Sequence, residues 1–152
     1  MKSINEWLSE YGESHQNATN KKVHFICVPL IFFSIIGLLY SVKLTRLFEI
    51  EITLAHTMLL GVAIYYFFLS APIAIGMILY SAFCLTLCFI IEQSIGHLFV
   101  ISILLFILAW ITQFYGHNIE GKKPSFLKDM QFLLIGPAWI MSFVLKKMGF
   151  TI

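Results

Sequence analysis

The chain has 152 residues, of which 59% are hydrophobic and 12% charged, with a net charge of +2 and a mean hydropathy of +0.88. Its uncharged runs approach the length that crosses a ~30 Å hydrocarbon layer, which excludes an ordinary soluble domain and predicts one membrane-embedded domain over residues 1–152. The weak and scattered positive charge also excludes a nucleic-acid surface.

The first two dozen residues are polar and lack a short basic region leading into an apolar core, so insertion is expected to be directed by internal spans. Ser3 with Glu6 is a capping-box pattern, and Ile4, Trp7, Leu8 and Tyr11 recur on one helical face. This predicts a short amphipathic helix that lies along the membrane interface or packs on the protein's own loops. The run HQNATN reads as a turn, with Thr19 or Asn20 capping the next helix.

A first span is expected over 25–42, with Pro29 in its opening turns, where a missing N–H costs least. SVKLTRLFEIE reads as a connecting loop. A second span over 52–69 and a third over 73–91, joined tightly at Ala71 and Pro72, should form a helical hairpin. The fourth span runs over 98–114. A fifth apolar segment, 130–145, is interrupted by Gly136 and Pro137 and is expected to be kinked, tilted or re-entrant. The fold class is therefore all-α, a polytopic bundle of four transmembrane helices with an N-terminal interfacial helix.

Charge orients the bundle. With the amino terminus cytoplasmic, Lys2, Lys21, Lys22, Lys122, Lys123 and Lys128 lie inside and only Lys43 and Arg46 outside. Lys146 and Lys147 join the inside set if the fifth segment turns back. The membrane would be the inner membrane of a bacterium or the endoplasmic reticulum of a eukaryote. Four crossings return the chain to its starting face, so the stretch carrying His15 and His24 shares a side with the one carrying His117.

These stretches hold the candidate chemistry. His15 and His24 would point oppositely on one continuous helix, because nine residues at 100° each is half a rotation out of phase. A turn between them allows both to face one point. Gln113, His117 and Glu120 follow i, i+4, i+7 on one helical face. Three imidazoles with a nearby carboxylate or carboxamide suit zinc or non-haem iron, and Glu120 or Gln113 would complete the ligand set or orient a ligand. Tyr11 reads as an interfacial anchor or a catalytic group, and Asn20 as a cap or a supporting residue. His97, in a second Gln-x-x-Gly-His run, lies twenty residues from His117, about 30 Å along a helix, and is read with His56 as structural. Cys27, Cys84 and Cys88 sit in apolar segments and read as core packing.

Tyr11-x3-His15-x4-Asn20-x3-His24-x4-Pro29, followed by Gln113-x2-Gly116-His117-x2-Glu120-x3-Pro124, resembles the small membrane-protein family of the fungal 2-hydroxy-fatty-acid dioxygenase. The resemblance covers nearly the whole chain. It implies an Fe(II)-dependent enzyme that uses O2 to remove one carbon from a long-chain 2-hydroxy acyl substrate among membrane lipids, with His15, His24 and His117 as iron ligands. Glu120 would act as base toward the substrate hydroxyl or tie down His117. Other classes fit the same residues: a non-enzymatic lipid-binding or assembly protein, or a zinc-dependent membrane hydrolase, although the chain has no HExxH pair.

Overall fold

Backbone amides without partners set where the first helix starts. In the computed structural model, which describes residues 2–48, 50–123 and 131–152, the Glu6 N–H donates to the Ser3 hydroxyl at 3.3 Å and the Glu6 carboxylate accepts the Ser3 N–H at 2.6 Å. Helix α1 (Ile4–Glu13) follows, and the residues it buries are Ile4, Trp7, Leu8 and Tyr11. That apolar face is covered by protein: Trp7 meets Phe132 edge-on at 5.4 Å. It is therefore not free to anchor in lipid.

Helix α2 (Ala18–Tyr40) begins seven residues before the expected span. Its cap is Asn17, whose side chain accepts the N–H groups of Thr19 and Asn20. Neither Thr19 nor Asn20 is the cap, and Asn20 and His24 lie within the helix. The early start also places Pro29 in the helix interior. The Tyr80 hydroxyl donates to the Pro29 carbonyl at 3.0 Å there, fastening the proline region to a neighbouring helix.

The expected loop is a hairpin. Strands β1 (Lys43–Leu47) and β2 (Ile50–Thr53) pair antiparallel, with Arg46 opposite Glu51, and Lys43 bonds Glu51 at 2.9 Å. Thr45, Ile50, Ile52 and Thr53 are β-branched residues that favour strands, a signal that charge content obscured.

Helix α3 (Leu54–Leu69) has 16 residues, shorter than a typical span. One extended residue, Ser70, joins it to α4 (Ala71–Ser94), with Pro72 in the opening turn where no N–H is needed. Helix α5 (Leu98–Glu120) runs six residues past the expected span and carries Gln113, His117 and Glu120 together. Helix α6 (Phe132–Lys147) continues through Pro137 and is not broken at Gly136. The expectations that touch Glu49, Pro124, Lys128 and Met130 lie outside the described residues.

Apart from the hairpin the regular elements among the described residues are helices, and α2, α4 and α5 are each long and apolar enough to cross a membrane. Leu79, Phe83, Leu104, Leu108 and Ile111 face outward, which suits a lipid surround. Cys27, Cys84 and Cys88 are buried, as core packing requires.

Helices α2 and α5 form the most extensive pair. They run antiparallel, since Gly116 approaches Asn20 and Val23 at one end while Gly37 approaches Ser102 at the other. A Cβ on Gly116 would stand 2.6 Å from the Asn20 amide oxygen and 3.1 Å from a Val23 methyl. Both neighbours are held by their own helix, so a larger residue must part the helices. Gly116→Val is expected to destabilise the protein by about 1–3 kcal/mol, read as a lower melting temperature in detergent, with a drop in bound metal. An unchanged melting temperature would contradict this packing.

Candidate metal centre

Four segments converge at one end of the bundle. The α1–α2 turn supplies His15, the second turn of α2 supplies His24, the last turn of α5 supplies His117, and α6 closes the site with Phe132 and Trp139. Glu120 holds the turn in place: Oε1 accepts the Gln16 N–H and Oε2 the Asn17 N–H, both at 2.9 Å, and Oε2 also accepts from Asn20 Nδ2 at 3.1 Å. The same Asn20 amide donates to the Ser14 carbonyl at 3.3 Å. Lys122 Nζ donates to the Glu13 carbonyl at 2.6 Å, so the carboxyl end of α5 is stitched to both ends of the turn.

The result brings three imidazoles together. Ring centroids are 4.0 Å apart for His15 and His24, 4.8 Å for His24 and His117, and 5.1 Å for His15 and His117. All three side chains are buried, and each offers a nitrogen within 4.8 Å of the others. His15 Nδ1 lies 2.6 Å from the Tyr11 carbonyl, and His24 Nδ1 lies 3.1 Å from the Asn20 carbonyl. A carbonyl can only accept, so each Nδ1 carries the proton and each Nε2 keeps a free lone pair. Both are i to i−4 contacts, so two helix backbones set the two tautomers. His15 Nε2 and His117 Nδ1 are buried without any hydrogen-bond partner. Bare imidazole nitrogens in an apolar interior are costly unless something binds them, and a cation bound by three neutral nitrogens fits that need.

The other expected site residues surround this group at different removes. Tyr11 is buried, and its ring stacks on His15 at 4.3 Å. Burial pushes its phenol above the ordinary value, so it stays protonated. Asn20 is fully buried in the turn-holding network. Gln113 is buried one turn from His117. Glu120 is outside the metal-ligating group and spends its oxygens on backbone and side-chain amides. His56 and His97 line a separate cavity of about 700 Å³, and His56 Nδ1 accepts the Thr53 N–H at the start of α3. Neither belongs to the group of three.

Sequence reasoning missed three contributors from α6, Phe132 at its start and two further along. Trp139 lies 5.5 Å from the His15 ring and 5.5 Å from Tyr11. Gly136, read as an interruption, is the surface on which Tyr11 rests: a Cβ there would stand 2.9 Å from the phenol oxygen. The one available signal was a glycine and a tryptophan three apart in an otherwise bulky apolar helix.

Comparisons with known proteins give a consistent picture. The family model described as 2-hydroxy-palmitic acid dioxygenase Mpo1-like matches residues 1–148. The chain is 30% identical over 145 residues to the 2-hydroxy-palmitic acid dioxygenase MPO1 of Saccharomyces cerevisiae, covering 94% of this chain and 80% of the yeast protein. No solved structure matches.

Burial lowers the His15 imidazole from 6.5 to about 4, partly offset by its bond to the Tyr11 carbonyl, while the nearby His117 pushes it down further. The unfolded chain therefore takes up a proton near pH 6.5 that the folded chain refuses until about pH 4. Folding stability is full above 6.5 and falls as the pH drops between those values. Metal-free protein is expected to be about 2 kcal/mol less stable at pH 5 than at pH 7 from this residue alone, measurable by denaturant titration. A flat profile over that range would mean that His15 is not buried as described.

Proposed function

Because the chain belongs to the Mpo1-like family, we propose that it is an Fe(II)-dependent dioxygenase that shortens long-chain 2-hydroxy fatty acids by one carbon. The observation that carries this reading is the group of three buried imidazoles, two of which have a ring nitrogen without a hydrogen-bond partner. The name of the yeast relative supplies the substrate class and the oxidant. A 2-hydroxy acid and O2 yield the acid one carbon shorter, CO2 and water, so the four electrons released match those one O2 accepts. No separate reductant is needed. The chemistry is oxidative, and zinc has no redox states to offer, which favours iron.

In this reading His15, His24 and His117 hold the metal. When bound, Fe(II) supplies Lewis acidity, a template for substrate and O2, and the redox chemistry. The chain's own groups do the rest. The Tyr11 and Asn20 carbonyls fix the His15 and His24 rings with Nε2 facing inward. Tyr11, Trp139 and Phe132 exclude water. The three imidazoles are neutral and the described metal-ligating group contains no carboxylate, so negative charge must come from the substrate. A 2-hydroxy carboxylate brings that charge together with a second oxygen placed to chelate. The apolar tail then lies against the outward faces of the helices, within the lipid.

For Glu120 we propose the role of clamp: removing the common acceptor of Gln16, Asn17 and Asn20 frees the turn that carries His15. The proposed topology has four crossings with the amino terminus cytoplasmic, the metal centre lying at that inner boundary.

The test incubates purified protein, Fe(II) and 2-hydroxyhexadecanoic acid under O2 and looks for pentadecanoic acid by mass spectrometry. His15→Ala, His24→Ala and His117→Ala are each expected to abolish it and to cut bound metal at least tenfold. Acid bound but unconverted by metal-loaded protein would return the lipid-binding reading. Glu120→Gln separates clamp from base. A clamp variant loses melting temperature and metal affinity, by about 10–100-fold, together with turnover. Lost turnover with stability and metal intact would make Glu120 a base.

A further inference from the structure

Gln113 presents a problem that the metal centre does not solve. It is buried to 5% exposure on α5, one turn deeper than His117, and its carboxamide oxygen has no hydrogen-bond partner. A buried acceptor without a donor is unfavourable, and at this position a methionine of similar shape would fill the space without that penalty. The group borders a cavity of about 60 Å³ that Tyr11, His24 and His117 also line. Trp110 also lines it, and most of the remaining wall is apolar, formed in part by Val28, Ile31 and Phe32. This volume is that of about two water molecules, enough for a small polar head group and too small for an acyl tail. Half-exposed Ile35 and Leu133 continue the wall toward the lipid-facing surface, which leaves the tail a way out.

The unpartnered atom is an acceptor, so its complement must be a donor. An ionised carboxylate carries no hydrogen and cannot fill that role. The head group of a 2-hydroxy acid has one donor, its hydroxyl. We propose that Gln113 accepts a hydrogen bond from the substrate 2-hydroxyl and thereby selects 2-hydroxy acids over unsubstituted fatty acids, the more abundant competitors in any membrane. The inference rests on the 2-hydroxy acid reading given above and adds to it the residue that reads the hydroxyl. The hydroxyl oxygen retains lone pairs for the metal, so the two contacts do not compete. A site built to pair with a substrate hydroxyl discriminates against the analogue lacking it, because that analogue leaves the buried partner bare.

The experiment measures binding of 2-hydroxyhexadecanoic acid and of hexadecanoic acid to Zn(II)-loaded protein in detergent, by displacement of a fluorescent fatty acid. Zinc permits binding without turnover. Gln113→Met and Gln113→Leu are expected to reduce the preference for the hydroxy acid about tenfold, the size of one neutral hydrogen bond, and to leave hexadecanoic acid affinity and zinc content unchanged. Their melting temperature without acid should equal or exceed the wild-type value, since an unsatisfied polar group has been removed. A preference kept in both variants overturns the proposal. Equal weakening toward both acids overturns it in favour of a carboxylate contact. A fall in melting temperature or failure to fold in both variants shows a structural role and also overturns it. A wild-type protein that neither prefers nor converts the hydroxy acid brings down the functional reading and this inference together. Conversion by wild-type with unchanged discrimination in the variants removes only the role of Gln113.

Discussion

Three neutral imidazoles packed within a few ångströms of one another, with lone pairs facing inward, are the constraint around which this molecule is arranged. In water such nitrogens would each find a proton or a hydrogen bond. Here His15 Nε2 and His117 Nδ1 have none, and an apolar bundle offers no solvent to compensate. The arrangement holds because other bonds secure the segments that carry the rings. Glu120 accepts three N–H groups from the α1–α2 turn and α2, Lys122 grips the end of α1, and backbone carbonyls fix two of the tautomers. The polar groups at this end are therefore of two kinds, satisfied and unsatisfied, and Asn20 carries both, since its Nδ2 donates twice while its Oδ1 has no partner.

That division connects fold to function. Glu120 and the Asn20 Nδ2 hold the frame, and the bare groups of Gln113 and His117 border a cavity too small for anything but a head group. The approach of α2 to α5 is close because Gly116 has no side chain, and the approach of α1 to α6 is close because Gly136 has none. Both glycines lie in the layer of the metal centre. Backbone contact there brings side chains from four segments to one point, and it explains why a short helix that would otherwise lie on a membrane surface is drawn into the protein.

Much of this was legible in the residues alone. The spacing of Gln113, His117 and Glu120 announced one helical face, and α5 carries all three. The half-rotation between His15 and His24 demanded a turn, and one is present between α1 and α2. Ser3 with Glu6 announced the first helix. One misreading came from treating polar residues as the end of a membrane helix. Asn20 and His24 looked like a boundary, but α2 runs through both because Asn17 caps it and Glu120 covers the turn before it. Charge in residues 41–51 suggested a loop where the β-branched residues of a short hairpin were the stronger local preference. Gly136 and Pro137 looked like an interruption, yet α6 runs through both, and the glycine makes room for Tyr11.

What the sequence determined by itself was periodicity and partition: which stretches are apolar enough to leave water, which residues share a helical face, and which imidazole-bearing stretches border the apolar runs. These follow from local geometry and transfer free energy, which need no partner to be evaluated. Only the tertiary structure decided which polar atoms are satisfied. Glu120 acts on a turn 103 residues away, Trp139 and Gly136 enter from a helix that no local pattern tied to the histidines, and Gln113 is left bare. Hydrogen-bond satisfaction is a property of atoms brought together from distant segments, and no reading of one segment at a time contains it.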